Sequence, residues 1–469
     1  KVPLIVILGS TGTGKTKLSI ELAKHFNGEI ISADSMQVYK GLDIVTAKAT
    51  AHEQAEIKHH LLDIARPEQA FTVMHFREVA LPIIDDLLHV KKKPPVVVGG
   101  TNYYIESLLW KILVGESVKT EKSAIGDRRD ETVASSSSSM AHIREIISKS
   151  EKSDLSVEEV QTFLQMSVDE LNNQDSVKLH KVLQVIDPVT ANRLHPNNKR
   201  KIHRAIEVYL ESGQTLSEVL NIQRNSPGGC NLGGPLRYPN VVLFWLKCDQ
   251  EILNNRLDGR VDDMMSQGLL NEIRLFYNQH VKPYEDSSCT KGVLQSIGFK
   301  EFLPYLSKFD EQDDEGIREY LEKIKDDATV ESPEAWISLK ECLESLKLST
   351  RRYSKKQIKW VKHRFLGNSE RQVPDLYGLD TSNVQQWNEN VLNPAINVIE
   401  SIIYGKSCNI KPLEKYKNPR QGLNEEVSNF CSDCDKIFIG EYQWQIHLKS
   451  NNHKRGVAAK HKKIKTAEF

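Results

Sequence analysis

No stretch of about 18 consecutive apolar residues occurs in the 469 residues, so no membrane-spanning helix is expected. A net charge is also lacking. Lys plus Arg and Asp plus Glu number 63 each, and only local clustering can then point to a nucleic-acid partner. Cysteine is scarce. Cys230, Cys248, Cys289, Cys342, Cys408, Cys431 and Cys434 are odd in number and mostly scattered, which fits a reducing compartment and excludes a disulfide scaffold. With 39% hydrophobic and 27% charged residues, the composition is that of an ordinary globular chain.

What is present begins at residues 9–16. Gly9, Ser10, Thr11, Gly12, Thr13, Gly14, Lys15 and Thr16 spell G-S-T-G-T-G-K-T, the G-x-x-x-x-G-K-[ST] phosphate-binding loop. Residues 2–8 are apolar and β-branched and read as a buried strand, while residues 18–26 carry Leu18, Leu22 and Phe26 at helical spacing. Strand, glycine loop and helix form the context in which the motif has a mechanism. Backbone N–H groups make a concave nest, the helix N-terminus adds partial positive charge, Lys15 supplies a full charge and Thr16 a hydroxyl for magnesium. The loop predicts a di- or triphosphate ligand.

Residues 29–33 read as a second strand delivering Asp34, Ser35, Met36 and Gln37. Strand carboxyl ends border the ligand crevice of an open α/β sheet. A carboxylate there either works on the ligand or is a plain turn aspartate. Residues 93–100 form another buried strand, but it ends Gly99-Gly100-Thr101 where a phosphate-cleaving loop protein carries a second magnesium carboxylate. That departure counts against an ATPase or kinase. A core strand is expected at 240–248 and a helix over 253–277 with Arg256 and Arg260, from which an arginine can reach a bound diphosphate. The glycine-punctuated turn at 292–302 reads as core packing.

Two stretches are basic without matching acids. Lys199, Arg200, Lys201 and Arg204 open an expected helix, and residues 351–364 read R-R-Y-S-K-K-Q-I-K-W-V-K-H-R. If helical, Arg352, Lys355, Lys356, Lys359 and Lys362 fall along one side, the electrostatic footprint of a nucleic acid; a merely solvated face would carry glutamate partners. Near the end, Cys431-x2-Cys434-x12-His447-x5-His453 has zinc-finger spacing, with Phe438, Trp444 and Leu448 as its small core and a basic flank. The resulting organisation is a parallel-sheet, phosphate-loop (P-loop NTPase-like) α/β core in two parts, 1–117 and 199–367, with a mostly helical insertion at 118–198. A polar excursion with a serine run at 135–139 opens the insertion. A linker at 368–428, a finger at 429–456 and a basic tail at 457–469 complete it.

The segments G-S-T-G-T-G-K-T, A-D-S-M-Q-V-Y-K-G-L-D-I, V-V-V-G-G-T-N-Y-Y, R-V-D-D-M and Q-S-I-G-F-K-E-F, in this order, resemble the tRNA dimethylallyltransferase (tRNA isopentenyltransferase) family. With the finger, the chain is similar to its animal-type members. The resemblance spans most of 1–110 and 185–365. It implies transfer of a dimethylallyl group from dimethylallyl diphosphate to the exocyclic amine of the adenosine 3′ of the anticodon in tRNA. Residues 9–16 then hold the diphosphate with Mg2+ at Thr16. Thr11 and Arg260 act on the leaving group and Asp34 is the base. Asp34, Ser35, Met36, Gln37, Thr101, Lys199, Arg200, Lys201, Arg204, Arg351, Arg352, Lys355 and Lys356 meet the tRNA, and Zn2+ sits on Cys431, Cys434, His447 and His453. A monomer in the cytoplasm and mitochondrion, and also the nucleus, is the matching expectation. The alternatives are a phosphate-loop kinase acting on a nucleotide or small molecule, and a non-catalytic nucleic-acid-binding protein.

Overall fold

The computed structural model describes residues 2–111, 155–230, 233–284, 292–326, 329–367, 371–416 and 423–467. The serine run and the rest of the expected polar excursion lie outside them. Along the chain come β1 (Leu4–Gly9), α1 (Lys15–His25), β2 (Glu29–Ser32), β3 (His59–His60), β4 (Pro95–Val98) and α2 (Asn102–Leu109). Then follow α3 (Ser176–Ile186), α4 (Lys199–Ser212), β5 (Val241–Lys247), α5 (Gln250–Ser266), α6 (Leu269–His280), α7 (Glu334–Val361), β6 (Leu376–Asp380) and α8 (Asn393–Tyr404). The last elements are β7 (Ser428–Cys431), β8 (Lys436–Ile439), α9 (Glu441–Lys449) and α10 (Asn451–Ala467). The helix expected over 253–277 is two helices, because Gly268 turns the chain with φ +99° between α5 and α6.

Contacts divide the chain into two compact units, residues 1–111 with 236–416, and residues 112–235 with 417–469. The first is built on a six-stranded parallel sheet of order β3-β2-β4-β1-β5-β6. Its strands are near-continuous apolar runs because both faces are covered. Alternation along β1 sends Ile5 and Ile7 toward Leu18 and Leu22 of α1 and Val391 and Val398, and Leu4, Val6 and Leu8 toward Phe76, Trp110 and Phe365. Ile5 pairs with Val96 of β4 on one side and Val242 of β5 on the other. β2 pairs with the far edge of β4. The carboxyl ends of β2, β4 and β1 are therefore neighbours, and these ends carry the loops singled out above.

Two boundaries differ from expectation. The linker at 368–428 is not one over its first half. Leu376–Asp380 closes the sheet as β6 beside β5, and Trp387, Val391, Ala395, Val398 and Ile399 are buried in the core. The strand is five residues long with a glycine in it, too short for its apolar pattern to stand out. The insertion also extends past 198. Helix α4 packs Ile202, Ala205, Ile206 and Tyr209 against Leu179, Val182 and Leu183 of α3, so the basic helix folds with the insertion and not with the core.

Within the first unit a buried ion cluster fixes α7. Glu106 of α2 is 1% exposed. It accepts from Arg364 Nη2 at 2.9 Å, from Arg371 Nη1 at 2.8 Å and from the Trp360 indole. Arg371 lies 3.4 Å from the centre of the Trp110 ring. Burial works to raise the Glu106 carboxyl, but Arg371 and Arg364 outweigh it and hold it below its ordinary value. Its stabilising effect is therefore present at neutral pH and lost as pH falls through that lowered value. Glu106→Gln leaves the buried Arg371 and the half-buried Arg364 guanidinium groups without their anion. We expect a loss of about 3–5 kcal/mol in urea unfolding at pH 7, shrinking as the wild-type carboxylate titrates.

Candidate active site and metal centre

The phosphate loop runs from β1 into α1 with Gly14 left-handed at φ +83° as the helix N-cap. A side chain there would also strike the Trp387 ring, 2.9 Å from the Cβ position. Trp387 is pinned by its indole N–H to Glu21 at 2.7 Å and carries Lys17 Nζ 4.7 Å over its ring. The segment expected as a linker thus buttresses the loop. The Thr13 hydroxyl and the Lys15 ammonium both donate to the Ser10 carbonyl at 2.8 Å. From α5, Arg260 Nη1 donates to the Thr11 hydroxyl at 3.2 Å. Burial lowers the Lys15 pKa to about 8, with Asp34 raising it and Arg260 lowering it. Burial also pulls Arg260 below its usual value, Asp34 acting the other way.

These groups open onto a cavity of about 550 Å³. Thr11, Gly12, Gly14, Lys15, Thr16, Asp34, Ser35, Met36, Gln37 and Arg260 all line it, so the strand register brings together what the sequence holds far apart. Among the described residues Asp34 is the one carboxylate in its lining. Oδ1 of Asp34 accepts from Met36 N–H at 3.0 Å, and Oδ2 from Gly100 N–H at 3.3 Å. The turn hydrogen bonds and a place in the cavity lining therefore coexist in one side chain. The glycine pair after β4 permits this approach, since a Cβ on Gly99 would come 2.1 Å from the Ala33 carbonyl. The Thr101 hydroxyl accepts from Ser35 N–H at 2.9 Å and donates to the Ser35 hydroxyl at 3.1 Å. Thr101 thus holds the 34–37 loop and is absent from the residues lining the cavity.

Gln37 is committed to the protein. Its amide donates to the Thr46 and Ala47 carbonyls at 3.2 and 3.1 Å and accepts from Ser32 at 3.0 Å. The same loop is clamped by Lys48, whose buried ammonium meets the Tyr39 and Gly41 carbonyls, Asp43 and Asp63 at 2.6–2.8 Å. Glu272 accepts from Ile44 and Val45 N–H at 2.8 and 3.0 Å. Neither clamp was singled out in the sequence.

Helix α7 contributes two faces. Arg352, Lys355, Lys356, Lys359 and Lys362 are exposed, whereas Arg351 is tied to Asp258. Inward, Tyr353 and Gln357 line the cavity, and burial raises the Tyr353 phenol. Sequence reading missed Gln357, although the positions between the lysines, 350, 353, 354, 357 and 361, follow helical spacing and mark the inward stripe. In the second unit, Arg200 and Lys201 are exposed, Lys199 is half-buried, and Arg204 pairs with Glu207 at 3.2 Å and Glu211 at 3.6 Å.

The second unit also holds the Cys/His cluster. The ligand atoms of Cys431, Cys434, His447 and His453 lie within 4.8 Å of one another. Among the described residues His447 Nε2 is buried with no hydrogen-bond partner, which is what a tetrahedral S2N2 zinc site requires of a ligand nitrogen. Phe438 stacks on the His447 ring at 3.9 Å and lies 6.0 Å from Trp444, but Leu448 is exposed and is no part of the small core.

Because Lys15 is charged only below about pH 8, inorganic pyrophosphate should bind most tightly there. Affinity should fall by up to about tenfold per pH unit as the ammonium deprotonates, with proton uptake on binding. Calorimetry in buffers of differing ionisation enthalpy measures both, and Lys15→Arg, which stays cationic, should flatten the profile.

The IPP transferase family model matches residues 37–364, and a zinc-finger family described as double-stranded RNA-binding matches residues 428–454. The tRNA dimethylallyltransferases of Mus musculus and Homo sapiens are each 40% identical to this chain over 96% of its length and 85% of theirs. A crystal structure of a eukaryotic dimethylallyltransferase acting on tRNA is 28% identical. It superposes with a TM-score of 0.73 and covers 100% of this chain and 99% of that one. Nothing in these comparisons supports the kinase alternative. From the phosphate loop through the C2H2-type finger, the chain belongs to the tRNA dimethylallyltransferase family of enzymes.

Proposed function

We propose that this chain moves the dimethylallyl group of dimethylallyl diphosphate onto N6 of the adenosine 3′ of the anticodon in tRNA, giving N6-isopentenyladenosine. One observation carries the reading. A single cavity is lined by the phosphate loop with Lys15, by Arg260 and by Asp34, the one carboxylate among the described residues that line it. Cleaving the allylic C–O bond builds negative charge on the departing diphosphate. Loop N–H groups, Lys15, Arg260 and the Thr11 hydroxyl meet that charge where it develops. The adenine amine is a weak nucleophile with a delocalised lone pair. Asp34 takes its proton as the N–C bond forms, a general-base contribution of about 10²–10⁴. The base has to leave its stack to enter the cavity, as in other enzymes that modify bases. Ser35 and Met36 line the wall it would meet. Gln37 and Thr101, engaged with the protein, shape that wall instead of reading the base directly.

The Thr16 hydroxyl lines the cavity and has no protein partner among the described residues. With an all-oxygen donor set it suits Mg2+, which when bound would add Lewis-acid stabilisation of the diphosphate. The exposed lysines and arginines of α7, together with Arg200 and Lys201, would neutralise tRNA phosphates. The finger, with Zn2+ on its Cys/His set, would add affinity for a helical stem of the tRNA.

Incubation with tRNA and dimethylallyl diphosphate, followed by nucleoside mass spectrometry, should yield the prenylated adenosine. ATP turnover without prenylation would overturn the reading. Asp34→Asn should lower kcat by about 10²–10⁴ with tRNA affinity kept. Deleting residues 423–469 should weaken tRNA binding and flatten the slope of log affinity against log salt; an unchanged slope would remove the finger from tRNA binding.

A further inference from the structure

Gln357 stands in the middle of the most basic stretch of the chain, yet it is 4% exposed. Its side-chain amide is used at both ends. Oε1 accepts from the backbone N–H of Thr11 in the phosphate loop at 2.9 Å. Nε2 donates to the Gly100 carbonyl at 2.9 Å. One turn earlier on the same helix, the Tyr353 hydroxyl donates to that carbonyl at 3.1 Å. The N–H of Gly100 in turn reaches Asp34 Oδ2. A continuous path therefore runs from the loop that faces the diphosphate, through one amide, to the residue whose N–H meets the base. The approach is close, for a Cβ on Gly100 would come 2.7 Å from Gln357 Nε2 and 2.9 Å from Asp34 Oδ2.

We propose that Gln357 is a positioning residue that holds the phosphate loop and the Asp34 carboxylate at their working separation. The inference rests on the transfer reaction given above. The chemistry of the side chain fits the task. Thr11 N–H needs an acceptor and the Gly100 carbonyl a donor, and an amide supplies one of each. It does so without a charge beside Lys15, Arg260 and Asp34, where glutamate would repel the diphosphate and lysine would offer no acceptor. Gln357 also fixes the Thr11 peptide, and with it the hydroxyl that Arg260 holds. Both the diphosphate wall and the proton-accepting wall thus take their placement from α7. The outer face of that helix is the exposed basic one, so the element expected to grip tRNA also sets the geometry at the reacting atoms.

The test compares full-length wild type with Gln357→Leu and Gln357→Asn. Leucine leaves the Thr11 N–H without its acceptor and the Gly100 carbonyl with the Tyr353 hydroxyl as its one remaining side-chain donor among the described residues. Asparagine keeps the amide but is one methylene too short to span them. Expected in both variants are a fall in kcat of about thirtyfold or more, pyrophosphate affinity lowered by about tenfold, and tRNA affinity within about threefold of wild type. Tyr353→Phe, which leaves both ends of Gln357 in place, should cost much less. The proposal is overturned if kcat and pyrophosphate affinity stay near wild type. It is equally overturned if kcat, pyrophosphate affinity and tRNA affinity fall together in step with the thermal midpoint, as general loosening would make them. Should Gln357→Leu fail to fold, Gln357→Asn, nearly conserving volume and polarity, decides by the same readings. If the wild type prenylates no tRNA, the reaction falls on its own, and the pyrophosphate titration of the variants still decides on Gln357.

Discussion

Three adjacent parallel strands, β2, β4 and β1, end side by side, and the chemistry depends on that alignment. Parallel pairing points their carboxyl ends the same way. The phosphate loop, the Asp34 turn and the Gly99-Gly100 turn consequently open onto one cavity. An antiparallel neighbour at any of these positions would send one of the loops to the opposite edge of the sheet. Bulk beyond hydrogen at Gly99 would push the β4 turn off the Ala33 carbonyl.

Charge at the site is arranged in two tiers. Lys15 and Arg260 are partly withdrawn from water, and burial shifts both toward their neutral forms. Their mutual repulsion is relieved in part by Asp34 and, in the proposed reaction, far more by the diphosphate. Preorganised cations of this kind favour a ligand whose negative charge grows during reaction. The other buried charges serve position only. Lys48 fixes the loop after β2 through four oxygen partners, and Glu106 anchors the far end of α7 through two arginines. Breaking such a pair leaves an uncompensated buried charge, which makes these clamps stiff.

Helix α7 connects the tiers. Its lysines face solvent while Tyr353 and Gln357 reach under them to the Gly100 carbonyl. In the proposed reaction, a nucleic acid on the outer face and a diphosphate on the loop would thereby be referred to a single rigid element. Orientation of two reactants on one frame accounts for a large part of the rate a bimolecular transfer needs.

The phosphate loop was legible in the sequence because its chemistry is local. The glycines, Lys15 and Thr16 fall within eight residues, flanked by a strand and a helix of unambiguous period. The finger was legible for the same reason, its four ligands spanning residues 431–453, although the exposure of Leu448 was not. The tertiary structure alone decided that β6 completes the sheet, that Trp387 braces the loop, and that Lys199–Ser212 folds with the insertion. It alone decided that Gln37 and Thr101 are bound into the wall, that Lys48 and Gln357 are buried, and that Glu272 accepts from the Ile44 and Val45 N–H groups. Most of these depend on a partner far away along the chain, up to 346 residues for Gln357 and Thr11, and even the nearer partners of Gln37 and Lys48 are set by how the loop folds back. A polar side chain shows in sequence only its capacity for hydrogen bonds; which groups receive them is fixed by the packing that carries it out of water.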